Sequence, residues 1–169
     1  MLIKNNIEKL NEIKNLLREL PSDFILSPRE IISNATIGQH FRHILEFYIC
    51  LEKGMKHNLV CYDERERNVL IETDIDYAIS RIDKTIAFLN TIEHDRPIEL
   101  KANYSISASD PINIPSSIYR ELAYALDHTV HHLAIVKIAL SEIKQDSDIP
   151  ENLGVAPSTV RYRGNIEGQ

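Results

Sequence analysis

The sequence predicts an all-α protein of four-helix-bundle type, folded as a single domain over residues 1–169. Three observations carry that prediction. Apolar residues recur at steps of three and four in four long stretches, each bounded by proline or by a charged segment. The composition is that of a packed globular chain, 43% hydrophobic and 26% charged, with five Gly and no low-complexity run. A length of 169 residues supports one sizeable core and is short for two.

The first stripe runs through Ile3, Ile7, Leu10, Ile13 and Leu17 until Pro21 interrupts it, which gives helix one. Residues 21–34, PSDFILSPREIISN, hold two prolines and a mixed pattern, so they predict a connection with one short turn of helix. Ile37, Phe41, Ile44, Tyr48, Leu51 and Met55 trace one face of a second helix over 35–56, capped by Asn34 or Thr36. Residues 57–68 have no clean period and are crowded with charge, a long connection between helices two and three. Ile75, Ile79, Ile82, Ile86 and Leu89 then resume the helical period behind a Thr73 cap, giving helix three over 74–93.

Residues 96–114 alternate loosely up to Pro115 and suit an irregular insert or a small hairpin, an element that often forms part of a site. Ser116 or Ser117 can cap the last helix, whose apolar residues Ile118, Leu122, Leu126, Val130 or Leu133, Val136 and Leu140 continue to about Ile143. Asp146, Ser147, Asp148 and Pro150 stop it. The tail NLGVAPSTVRYRGN is punctuated by Gly and Pro and is expected on the surface.

A formal net charge of −6 and a pI near 5.6, with no long basic run, offer little attraction to phosphate backbones or anionic lipid. Neither nucleic acid nor a membrane is an expected partner. Cys50 and Cys61 are too few and too far apart for a disulfide framework or a CxxC metal site, so they are read as reduced and structural. The N-terminal stretch MLIKNNIEKLNEIK carries charge throughout and has no apolar signal region. Together these point to the cytoplasm. No P-loop, GxGxxG or GxSxG motif supports a nucleotide-dependent or serine-hydrolase reading.

The chemistry concentrates in histidine. Five of the seven fall in two short stretches, IGQHFRHIL with His40 and His43, and LDHTVHHLAIV with His128, His131 and His132, both inside long predicted helices. His128 and His132 are four apart and share a helix face, while His40 and His43 are three apart on another helix. Neutral imidazole is a common ligand for zinc, nickel, copper and iron, and a catalytic centre commonly uses three protein ligands plus an open position. Single helical histidines are more often hydrogen-bonded or surface groups, so the weight rests on two clusters occurring together.

Weaker candidates surround them. In the segment Tyr62 to Arg67, Arg65 or Arg67 could clamp a substrate carboxylate, against a solvated, self-paired charge run. Glu121 lies two turns before His128 and could orient an imidazole, as could Asp127. Ser158, Thr159, Arg161 and Arg163 of the tail could fold over the site or simply cap the bundle.

At TIGQHFRHI and DHTVHHLAI the chain resembles the DinB-like family. In that family's pattern a small hydroxyl residue opens helix two, a histidine follows seven positions on, and the last helix carries HxxxH. The resemblance implies His43, His128 and His132 as metal ligands, with His40 and His131 nearby. It also implies a homodimeric four-helix bundle holding a divalent metal, nickel or zinc or else iron. The characterised relatives it brings in include thiol-dependent enzymes such as bacillithiol or mycothiol S-transferases and isomerases, so a low-molecular-weight thiol is an implied cosubstrate. The chain departs from the pattern after the final histidine, reading Leu133, Ala134 and Ile135 where Arg-Gly-Gln is common. The expectation is therefore a metal-dependent transferase or hydrolase acting on a small molecule. Its alternatives are a non-catalytic stress-related binding or dimerisation module, and a metal-free pH-sensing cluster.

Overall fold

Residues 1–106, 110–143 and 148–167 are described in a computed structural model. Helix α1 (Leu2–Glu19) turns Leu10, Ile13, Leu16 and Leu17 inward. A short α2 (Ser22–Leu26) and a 3-10 turn (Glu30–Ile32) follow, burying Phe24, Ile25 and Ile32. Helix α3 (Ile37–Met55) opens with a reciprocal cap. The Gln39 amide donates to the Thr36 hydroxyl at 2.9 Å and the Thr36 amide donates to Gln39 Oε1 at 3.1 Å. Every residue from Ile44 to Leu51 is buried, so α3 is surrounded rather than laid on a surface.

Helix α4 (Leu70–Thr73) ends against α5 (Ile75–Leu89), and here the sequence reading is corrected. The cap of α5 is Asp74, which accepts from the Tyr77 amide at 2.9 Å, while the Thr73 hydroxyl is turned back to the Val69 carbonyl. Helix α6 (Ile118–Leu140) is capped by Ser117, stops three residues short of Ile143, and is followed after a connection by α7 (Pro157–Glu167). Asp146 and Ser147, expected as stop signals, lie outside the described residues, as do residues 107–109 of the insert.

The prediction of an all-α four-helix bundle does not hold. Among the described residues there are seven α-helices and a three-stranded mixed sheet, so the fold is α/β. Strand β1 (Leu59–Cys61) pairs parallel to β2 (Pro97–Ala102), aligning Val60 with Leu100, and β2 pairs antiparallel to β3 (Ile112–Ser117). The physical reason is burial from two separate segments. Ile98 and Leu100 alternate toward the core and need a neighbour on that face, which Val60 supplies from the stretch between α3 and α4. Pro115 is tolerated because β3 is an edge strand.

One apolar cluster connects Leu10 of α1, the centre of α3, Val60, Ile98 and Leu100 of the sheet, Leu140 of α6 and Leu153 beyond it. The fully buried polar side chains Asn6, Tyr48 and Thr129 are partnered. The Tyr48 hydroxyl donates to Asn6 Oδ1 at 2.8 Å and lies 3.1 Å from Thr129 Oγ1, tying α1, α3 and α6 together. Gly154 has φ +68°, and a β-carbon there would fall 2.3 Å from the Ala134 amide nitrogen, so no side chain fits where the chain passes this close to α6. Among the described residues no helix is long and apolar enough to cross a membrane.

Candidate metal centre

Helix α3 presents His40, His43 and Phe47 at steps of three and four, and α6 presents Tyr124, His128 and His132 at steps of four. These two helices pack together, so the two faces meet. The imidazole centres of His43 and His128 are 4.9 Å apart, those of His43 and His132 4.7 Å, and those of His128 and His132 4.5 Å. One ligand nitrogen from each of the three lies within 4.8 Å of the others. A tetrahedral ion with bonds of about 2.1 Å sets its nitrogens about 3.4 Å apart, so the trio closes on it by roughly 1 Å of movement. The soft second torsion of histidine permits that adjustment.

Two further observations fit a metal. The Nε2 atoms of His128 and of the adjacent His40 are buried and have no hydrogen-bond partner among the described residues. A stranded polar atom of this kind is costly in a native fold unless something occupies it. The His40 and His132 rings meet through Nδ1 to Nδ1 at 2.9 Å, one donating to the other. This contact leaves Nε2 of His132 for a metal and lets His40 hold the ring and its tautomer, a role that a carboxylate or carbonyl fills in other centres.

The site also keeps its imidazoles neutral. Burial, and then the neighbouring His128 and Arg65, His40 and Arg42, bring His43 down to about 4. Burial followed by His131 and Arg65 brings His128 to about 4, and burial followed by His128, His43, His40 and His131 brings His132 to about 3. His40 is lowered too, by burial and by His131. At neutral pH all four offer lone pairs without having to release a proton. The Cys50 thiol on the same helix is pushed up to about 11 by burial, which makes it a poor source of thiolate.

The remaining sequence candidates separate. His131 is exposed, with its ring centre 5.4 Å from that of His132. Arg65 is half-buried, its guanidinium 5.2 Å from the centre of the Phe47 ring and its Nη1 donating to the Tyr62 carbonyl. Glu121 does not orient an imidazole. Its buried carboxylate accepts from Tyr62 at 2.7 Å, from Arg120 at 2.8 Å and from Ser116, fastening α6 to the sheet edge and to the end of β1. Arg67 lies at φ +52° with Nη1 donating to the Arg65 carbonyl.

Sequence reasoning passed over Phe47. Its ring stacks on His128 at 4.2 Å and on Tyr62 at 4.7 Å, and Tyr124 lies 5.8 Å from both Phe47 and His128. The signal was present in the spacing, since Phe47 is one turn after His43 and Tyr124 one turn before His128. Phe47, Tyr62 and Tyr124 form an aromatic wall beside the histidines.

Among known proteins, no family model matches the chain and no solved structure matches it. A curated protein of Rhizopus delemar, named FK506-binding protein 5, is 36% identical over 104 residues, which cover 60% of this chain and 26% of that protein. The chain thus matches about a quarter of the length of that relative. Binding of FK506 is what the name says of that protein, most of which lies outside the match.

Proposed function

We propose that the protein holds a divalent transition metal on His43, His128 and His132 and works as a metal-dependent enzyme, a thiol S-transferase or a metal-assisted hydrolase. The observation that carries this reading is the convergence of three half-buried imidazoles from two helices, their ligand atoms within 4.8 Å, with His128 Nε2 unpartnered. An all-imidazole set favours nickel, zinc or iron over magnesium or calcium. The DinB-like resemblance of TIGQHFRHI and DHTVHHLAI supports the same three ligands. It adds a homodimer and a low-molecular-weight thiol to the reading.

A metal held there would supply Lewis acidity and lower the pKa of a bound water or thiol toward neutrality. The chain's own residues supply the rest. Burial keeps the ligands unprotonated, His40 fixes the His132 ring, and Phe47 stacked on His128 restricts its rotation.

The test is turnover by nickel-loaded and zinc-loaded protein with a small thiol plus an activated aryl halide, and separately with an activated ester. The expected result is metal-dependent turnover of one of them that disappears in His43→Ala. Full metal binding with no turnover of either class would move the assignment to the non-catalytic binding module.

A further inference from the structure

Beside the histidines lies a cavity of about 180 Å³ whose walls include Phe47, Tyr62, Arg65, Lys101, Arg120 and Tyr124. Phe47 is common to both, with one ring centre 4.2 Å from that of His128 and 5.1 Å from that of His43. Whatever fills the cavity therefore sits one ring away from the metal ligands. The volume is below the roughly 300 Å³ at which drug-sized pockets begin, so the occupant is small.

The charges of the wall differ in how they are satisfied. Lys101 pairs with Glu64 at 3.2 Å, and Arg120 pairs with the buried Glu121 at 2.8 Å while lying 5.4 Å from the Tyr124 ring centre. Asp63 also lines the cavity and accepts from the Asn103 amide at 3.1 Å. Arg65 is the exception. Among the described residues it has no carboxylate within 4.0 Å, and its contacts are one backbone carbonyl and the face of Phe47. A half-buried guanidinium with most of its fork unused, set over an aromatic floor, is built to grip a planar anion.

We propose that this cavity is the substrate subsite of the centre and takes a small aromatic carboxylate, its carboxylate on the Arg65 fork and its ring against Phe47, Tyr62 and Tyr124. The proposal rests on the metal reading for the reaction but not for the binding. A planar carboxylate suits the two-pronged guanidinium, whereas a dianionic phosphate would carry a second charge toward Asp63. A neutral arene would leave Arg65 without an anion.

The experiment titrates phenylacetate, its neutral amide phenylacetamide, and phenyl phosphate into metal-loaded wild type, Arg65→Gln and Arg65→Lys, with saturation-transfer NMR on the ligand ring protons. Metal content and melting temperature are measured on the same samples. The expected result is that phenylacetate binds wild type about tenfold or more tightly than the amide. Arg65→Gln loses a similar factor and Arg65→Lys recovers part of it, the size associated with a charge-assisted pair. Equal affinity for acid and amide, or indifference to Arg65→Gln in a variant that melts like wild type, would overturn the proposal. Phenyl phosphate binding as well as phenylacetate would overturn the carboxylate assignment. Repeating the titration with metal-free wild type separates the two claims. Arg65-dependent binding there, in a protein that takes up no metal, sustains the subsite while the metal reading fails. A metal-loaded protein indifferent to the acid does the reverse.

Discussion

Replacing His40 by Ala removes the only side-chain hydrogen bond that any of the three proposed ligands makes among the described residues, the 2.9 Å contact between His40 Nδ1 and His132 Nδ1. For His132 to bind a metal through Nε2, its Nδ1 must carry the proton, and His40 must accept it with a bare Nδ1. Burial and the nearby His131 lower the proton affinity of His40, so at pH 7 it is neutral and able to accept. Without it the His132 ring is free to turn and its N–H loses its partner in a half-buried place. Deleting such an outer partner typically weakens metal affinity by about 10- to 100-fold, or about 1.4–2.7 kcal/mol. Competition against a chromophoric chelator at pH 7 measures this directly. His131→Ala is the control, because His131 is exposed and touches His132 only ring to ring at 5.4 Å. Affinity of His40→Ala within twofold of wild type, or an equal loss in His131→Ala, would refute the positioning argument.

Three further outcomes follow from the same structure. In metal-free protein His43 and His128 titrate near 4 and His132 near 3, whereas the unfolded chain takes up protons near 6.5. Between those values the unfolded state holds more protons, so the histidines' contribution to stability falls as pH drops from about 6.5 toward 3, and bound metal delays the fall. A urea midpoint of chelated protein that stays flat from pH 7 to pH 5 would contradict this. Tyr48→Phe strands Asn6 Oδ1 in the core and should cost about 1–3 kcal/mol, read as a lower urea midpoint with unchanged slope. Gly154→Ala forces a side chain into a positive φ and against the Ala134 backbone, and is expected to destabilise by about 1 kcal/mol or more in thermal melts.

The helices were legible because their apolar stripes repeat within a single segment, as Ile37, Phe41, Ile44 and Tyr48 do on α3, and because Thr36 and Gln39 supply both halves of a cap. The sheet was not. Leu59–Cys61 is too short to show alternation, and it becomes a strand only by pairing with Glu99, Leu100 and Lys101, about forty residues later. Thr73 and Asp74 are adjacent and both can cap, and only the position of α4 decides between them. For the site, the pairing of His128 with His132 is local and readable, but the meeting of α3 and α6 is a tertiary fact. Glu121 shows the converse limit. Its spacing from His128 was right for one helix face, yet Tyr62 and Ser116 from elsewhere in the chain claim its oxygens.

A metal held by His43, His128 and His132 is the premise of the proposed chemistry. The measurement is elemental analysis of protein purified without a histidine tag and without chelator, comparing wild type with His128→Ala after both are checked for the same fold by circular dichroism. One divalent transition metal per chain in the wild type, and its loss in the variant, is the predicted result. No metal in the wild type even after loading with nickel, zinc and iron, or equal metal in a folded His128→Ala, would contradict it.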